Sequence, residues 1–232
     1  MQAPPSPLPN LALHVWPGLT PYDEALRRQE VLVSALIAGT DSEALVFCGH
    51  PPVFTAGTSA NLQEEIIDAA GIPVIESSRG GKVTYHGPGQ RVIYPILDLN
   101  RRGRDLRAHV QGLQAWIGAA LNELGIKTIP GEEVGVWVQG PDGIAKIAAI
   151  GVRVRKWVTF HGVALNVAPD LSVYRRIVPC GIRDKGTTSL AQIGFTGTQE
   201  EVDRVLLRLF PAYFAVHEQS YQSGRQGADS GA

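Results

Sequence analysis

The sequence predicts an α+β fold, on three observations. Stretches with one apolar face at helical spacing occur near both ends and in the middle of the chain. Between them lie apolar runs of strand length, and several are joined by short turns of the hairpin kind, which argues for antiparallel or mixed sheets. No repeat and no domain-separating linker interrupts the 232 residues, a length that suits one large domain with a core needing no disulfide or metal staple.

The elements follow in order. A first helix is expected from Thr20-Pro21, with Thr20 as cap and Pro21 at the first helical position. Leu26, Val33 and Ile37 give it one apolar face, and Gly39 ends it. Residues 44–48 form a short buried strand stopped by His50-Pro51-Pro52, and 72–75 and 91–99 also have strand character. A second helix spans 105–124, with Leu106, Val110, Leu113, Ile117, Leu121 and Leu124 on one face and Gly125 as its stop. Strands 134–138, 144–154 and 157–167 follow, turning at Gly140-Pro141-Asp142-Gly143 and around Arg155-Lys156. Thr198-Gln199-Glu200-Glu201 has capping-box form and opens a last helix that points Val202, Val205, Leu206 and Leu209 inward. Residues 1–10 and 219–232 lack apolar anchors and are expected to be loose tails around a single domain, 11–218.

Charge is balanced, 21 basic against 22 acidic residues. Neither nucleic-acid binding nor a general affinity for membranes is implied. Two cysteines make no disulfide framework and lack metal-type spacing, so no metal site is expected and a reducing, cytoplasmic setting is. The N-terminus has no signal-peptide pattern, and no run reaches the roughly 18 apolar residues of a membrane span.

Three features carry chemistry. The segment 78–90 holds four glycines and a proline beside Arg79, Lys82, Thr84, Tyr85 and His86. Bare backbone lets a ligand approach closely, although a tight hairpin loop has the same composition. It lacks the Gly-Lys-Ser/Thr ending of a phosphate loop, and no helix follows as a dinucleotide fingerprint requires. Lys146 is the only polar member of the alternating set Ile144, Lys146, Ala148, Ile150, Val152 and Val154. A lysine on such a face either becomes a usable base by desolvation or reaches water at the strand end. Cys180 sits in Pro179-Cys180-Gly181, which breaks regular structure, with Arg175, Arg176, Arg183 and Lys185 nearby in sequence. A free thiol titrates near pH ~8.5 and needs a base or a cation to react at neutral pH. Lys146 and His161 are both candidates for that role, and spacing does not choose between them. Cys48 follows an apolar run and reads as a small core residue.

Taken together, five segments resemble one family, the octanoyltransferases of lipoate biosynthesis, also called lipoate-protein ligase B. They are residues 50–57, then Arg79 through Gln90 with Tyr94-Pro95-Ile96, residues 146–153, residues 161–167, and 177–182 with Thr188-Ser189-Leu190. They stand in the family's order and cover roughly residues 12–215. The resemblance implies the fold shared by biotin and lipoate ligases, a mixed β-sheet with packed helices and a smaller second sheet. It implies that octanoyl passes from acyl carrier protein to a cysteine thiol. From there it passes to a lysine amine on lipoyl domains of 2-oxoacid dehydrogenase complexes or on the glycine cleavage H protein. The carrier thioester is already activated, so no cofactor is expected, and the protein is expected to act as a monomer.

By position, Cys180 is similar to the family's acyl-thioester nucleophile and Lys146 to its proton-transfer partner. Arg79, Gly80, Gly81, Lys82, Val83, Thr84, Tyr85 and His86 resemble one wall of the acyl pocket. Ala149, Ile150 and Gly151, with Gly162, Val163 and Ala164, resemble the rest. Two other enzymes stay open on the residues themselves: an ATP-dependent lipoate or biotin ligase, and a hydrolase using Cys180 and His161. A non-catalytic acyl-carrier-binding module is a third alternative. Arg101, Arg102 and Arg104 form a basic cluster that is either a solvated turn or a contact for an acidic carrier protein. The four tryptophans are read as core or pocket lining.

Overall fold

Apolar strands that are buried from end to end need cover on both faces, and the order of elements supplies it. The computed structural model describes residues 10–131, 133–178 and 186–215. Strand β1 (Leu11–Val15) leads into helix α1 (Tyr22–Ala38), then β2 (Glu43–Cys48) and β3 (Val53–Ala56). A single-turn helix α2 (Leu62–Glu65), β4 (Val74–Glu76), β5 (Val83–His86) and β6 (Gln90–Ile96) follow. After helix α3 (Leu106–Glu123) come β7 (Thr128–Ile129), β8 (Val136–Gly140), β9 (Gly143–Arg155), β10 (Val158–Asn166) and β11 (Gly186–Thr187), and α4 (Gln199–Phe214) completes the series.

The large sheet has the order β1-β2-β6-β10-β9-β8-β7, with β11 beside β9. β1 lies parallel to β2 and β11 parallel to β9, while the other pairs are antiparallel. The smaller sheet is β4-β3-β5. The α+β class and the second sheet therefore stand as the sequence implies.

Every residue of β2, β6 and β10 is buried. On one face, Leu45, Phe47, Ile93, Val163 and Leu165 meet Leu113, Trp116, Ile117, Leu206 and Phe210 from α3 and α4. The Trp116 indole donates to the Leu206 carbonyl at 2.9 Å and meets Phe210 edge-on. On the other face, Val46, Val92, Tyr94, Phe160 and Ala164 pack under Ala25 and Val33 of α1. A third core joins Phe54, Val83 and Tyr85 of the small sheet to Tyr174 and Ile177.

Several local expectations are corrected. Pro21 itself is the N-cap of α1 and makes no side-chain cap bond. The buried seam of α1 is Tyr22, Ala25, Gln29 and Val33, and Leu26 and Ile37 are only partly covered. The strand expected at 91–99 stops at Ile96, because Asp98 caps a 3-10 turn over Leu99–Arg102 and accepts from Asn100 N. That turn directs Arg102 inward. Its guanidinium donates to both Glu43 carboxylate oxygens, one at 2.8 Å, and to the Phe214 carbonyl. Arg104 is exposed and donates to Asn100 Oδ1, so Arg102 is tied into the fold while Arg104 stays on the surface of the turn. Trp157 sits on the β9–β10 turn, 37% exposed, beside Lys156; both have positive φ, as a two-residue hairpin turn of this hand requires.

The Glu43–Arg102 pair ties β2 to the end of α4 and is nearly dry, with side chains 5% and 12% exposed. Glu43→Gln leaves a buried guanidinium without its charge partner. Urea unfolding is expected to show a loss of about 3 kcal/mol or more, whereas Asp23→Asn in the exposed Asp23–Arg27 pair changes nothing measurable. Equal behaviour of the two variants refutes the distinction.

Candidate active site

Two cross-strand pairs open a trough in the α1 face of the large sheet. Gly151 of β9 lies opposite Gly162 of β10, and Ala149 opposite Ala164. Four small residues side by side leave room that larger side chains would fill. A cavity of about 230 Å³ sits there, lined on this side by Ala149, Ile150, Gly151, Gly162, Val163 and Ala164.

The facing wall comes from the glycine-rich segment: Arg79, Gly80, Gly81, Lys82, Thr84 and His86. Buried Arg79 gathers the segment around itself, donating to the carbonyls of Thr55, Gly80 and Lys82 at 2.6, 3.0 and 2.8 Å. Gly80 N donates to Val152 O at 3.1 Å and docks the loop on β9. A Cβ on Gly151 would lie 2.9 Å from Gly80 O, so this approach depends on the missing side chain. From α2, the buried Glu65 carboxylate accepts the Val83 N–H at 2.7 Å. Val83 and Tyr85 of the expected wall do not line the cavity. The segment becomes strand β5 at Val83, and alternation turns these two into the third core with Phe54 and Tyr174.

Tyr22, Val92 and Tyr94 line the cavity without having been expected there. Tyr22 and Tyr94 belong to an aromatic cluster with His50 and His86. His50 donates through Nδ1 to the Thr20 carbonyl and accepts the Tyr94 hydroxyl at Nε2, both at 2.7 Å. His86 donates through Nδ1 to Gln90 Oε1 at 3.2 Å, and Tyr22 stacks on its ring. Burial drives the His50 pKa down and that of His86 well below the ordinary value. Burial also raises Tyr22 and lifts Tyr94 well above the phenol range. All four groups are neutral at neutral pH, so this aromatic cluster carries polar atoms but no net charge. His50 and Tyr94 stand in motifs quoted above, but nothing local links them; Tyr22 has no sequence signal beyond its place in the first turn of a helix.

Lys146 reaches the cavity by a register shift. Val136 opposes Ala148 while Trp137 opposes Lys146, so two steps along β9 match one step along β8. Such a bulge reverses the alternation. The face expected for Lys146, that of Ala148, Ile150 and Val152, packs toward the α3–α4 core. The shift moves Lys146 to the opposite side, with Ala149 and Gly151. The residue is 8% exposed, and Nζ donates to Val134 O at 3.1 Å and lies 4.7 Å from the Trp137 ring centre. Glu133 and the half-exposed Val134 complete this end of the cavity.

Cys180 lies outside the described residues. The residues on either side of that interval are anchored. Ile177 bridges Ile66, and Val178 N donates to Glu65 O at 2.8 Å. Gly186 and Thr187 pair with Ala145 and Lys146, and Thr188 N donates to Lys146 O at 3.0 Å. The other cysteine, Cys48, is sealed in the α1-side core, where burial pushes its thiol up to about 12. His161 lines the cavity with φ 59°, its main-chain N–H held by Gln29 Oε1. Burial first, then Arg79 and Arg153, bring its pKa to about 3. Among the described residues, no group of three or more His, Cys, Asp or Glu is placed to hold a metal, and no helix is long and apolar enough to cross a membrane.

The family model of the lipoyl protein ligase A/B catalytic domain matches residues 21–211. An octanoyltransferase of Cereibacter sphaeroides is 48% identical over 210 residues, covering 86% of this chain and 96% of that one. An octanoyltransferase of Parvibaculum lavamentivorans is 50% identical over 200 residues, covering 84% and 88%. In fold, the chain is similar to a bi-partite lipoate protein ligase of Thermoplasma acidophilum, with TM-score 0.63 at 19% identity, over 95% of this chain and 92% of the other.

The buried histidines set an acid limit on stability. His161 and His109 have folded pKa values of about 3 and about 4, against 6.5 when exposed. Below 6.5 the unfolded chain takes up protons that the folded chain does not, so stability falls as pH falls. Each group contributes up to about 1.4 kcal/mol per pH unit across that window. Urea unfolding is expected to give lower stability at pH 5 than at pH 7, with a shallower drop in His161→Asn. Equal stability at both pH values contradicts this account.

Proposed function

This chain belongs to the lipoyl protein ligase A/B catalytic domain family and is an octanoyltransferase, and we propose that it carries its acyl group as a thioester on Cys180 with Lys146 as proton-transfer partner. One observation carries the reading: the bulge brings a buried lysine to the cavity, and the interval containing Cys180 is anchored at its far end on that lysine's own strand.

The donor is octanoyl–acyl carrier protein. Its acyl chain lies in the trough over Ala149, Gly151, Gly162 and Ala164, where apolar walls favour an alkyl group. Lys146 takes the Cys180 thiol proton, and the thiolate attacks the thioester carbonyl. The tetrahedral adduct collapses, the phosphopantetheine thiolate leaves, and the ammonium of Lys146 protonates it. The acceptor is a lysine of a lipoyl domain, in a 2-oxoacid dehydrogenase complex or the glycine cleavage H protein. Its amine attacks the enzyme thioester, Lys146 removes the surplus proton, and Cys180 is released as the amide forms. The thioester supplies the activation, so no ATP enters the cycle.

A hydrolase built on Cys180 and His161 is disfavoured, since an imidazole that titrates at about 3 is a weak base at neutral pH. Intact mass spectrometry after mixing with octanoyl–acyl carrier protein is expected to show one octanoyl adduct, absent in Cys180→Ser. Transfer to a lipoyl domain is expected without ATP and to drop by at least about a hundredfold in Lys146→Ala, with His161→Asn milder than Lys146→Ala. Transfer that needs ATP and survives Cys180→Ala would falsify the thioester route.

A further inference from the structure

We propose that Trp137 is a positioning residue for Lys146, holding its ammonium over the indole face at the end of the acyl cavity; this rests on the reading of Lys146 as proton-transfer partner. Trp137 is 1% exposed and is the direct cross-strand neighbour of Lys146. The Nζ-to-ring distance of 4.7 Å is within the range of a cation–π contact, which is strongest over tryptophan and when desolvated.

The surroundings are shaped around this pair. The indole N–H donates to Glu133 O at 3.1 Å, which fixes the plane of the ring. The next carbonyl along, Val134 O, accepts from Nζ. A Cβ on Gly131 would lie 2.2 Å from the indole Cδ1, and one on Gly135 would lie 2.9 Å from the lysine Cε. Gly135 also holds φ 141°, and its carbonyl is bonded by Gln114 of α3 at 3.0 Å. Two glycines thus let the approach to β8 bend closely over the tryptophan and lysine, while two successive carbonyls hold one each.

An ammonium has three N–H donors. Val134 O takes one and the ring face restricts the swing of the stem. The remaining donors are left for the reacting sulfur and the leaving thiol. A lysine free to turn would reach the same positions only part of the time, so the loss on removing the ring falls on the chemical steps and not on protein docking.

The test keeps the ring shape and changes only its electrons. Mono-, di- and trifluorotryptophan are incorporated at position 137 of the full chain, and octanoyl transfer to a lipoyl domain is measured. Fluorine drains the π face, so kcat is expected to fall stepwise, by about tenfold in total, with KM for both proteins constant within about twofold. Trp137→Leu is expected to lose at least as much, and Trp137→Phe to regain most of it. If Lys146→Ala is inactive while fluorination leaves kcat unchanged, the proposal for Trp137 fails and the reading of Lys146 stands. If Lys146→Ala transfers octanoyl at the normal rate, both fail. A loss confined to KM, or equal losses in Trp137→Leu and Trp137→Phe, also overturns the proposal by assigning the ring a packing role.

Discussion

A β-strand shows its side chains alternately to two faces, and here one face meets a helical core while the other meets a cavity. A single register shift between β8 and β9 decides which side receives the only lysine of that stretch. Without it, Lys146 would follow Ala148 and Ile150 toward α3 and α4, where a charged amine has no counterpart in the apolar cluster. With it, the amine finds a carbonyl, an aromatic face and the wall of the cavity. The reactive chemistry proposed for the protein depends on that irregularity more than on any one side chain.

The cavity depends on a second constraint, the pairing of small residue with small residue across β9 and β10. Gly151 opposite Gly162 and Ala149 opposite Ala164 leave a gap that α1 and the glycine-rich segment roof over. The roof is held by buried polar groups satisfied within the protein, chiefly Arg79 on three carbonyls and Glu65 on the Val83 amide. Burial keeps His50, His86, Tyr22 and Tyr94 neutral, so the aromatic cluster beside the slot adds polar atoms but no charge. A slot floored by small apolar residues with a lysine at one end suits an acyl chain whose only reactive group is at its head.

Legibility in the sequence followed the range of the signal. Helix α3 was readable from its apolar face, and α4 from a local cap as well: Thr198 accepts from Glu201 N, as its spacing suggests. Strands β9 and β10 were readable from long apolar runs and a hairpin turn between them. The four-residue strands β3 and β5 were not, because so short a run has no period of its own and is specified by its partner. The seam of α1 was misplaced since Gln29, a polar residue, is buried there to hold the His161 amide. The inward turn of Arg102 was not readable for a similar reason: it meets Glu43, 59 residues away in the chain.

The amino-acid sequence by itself determined which reactive groups exist and in what motifs they stand: one cysteine between proline and glycine, one lysine in an apolar strand, one run of glycines. It also determined the class of fold, because periodicity and capping act over a few residues. Only the tertiary structure decided that Lys146 faces the cavity, that Val83 and Tyr85 turn away from it, and that Tyr22 and Tyr94 enter it. Those outcomes depend on strand register and on which distant element packs against which. Register is a property of two strands together, so neither strand's sequence contains it alone.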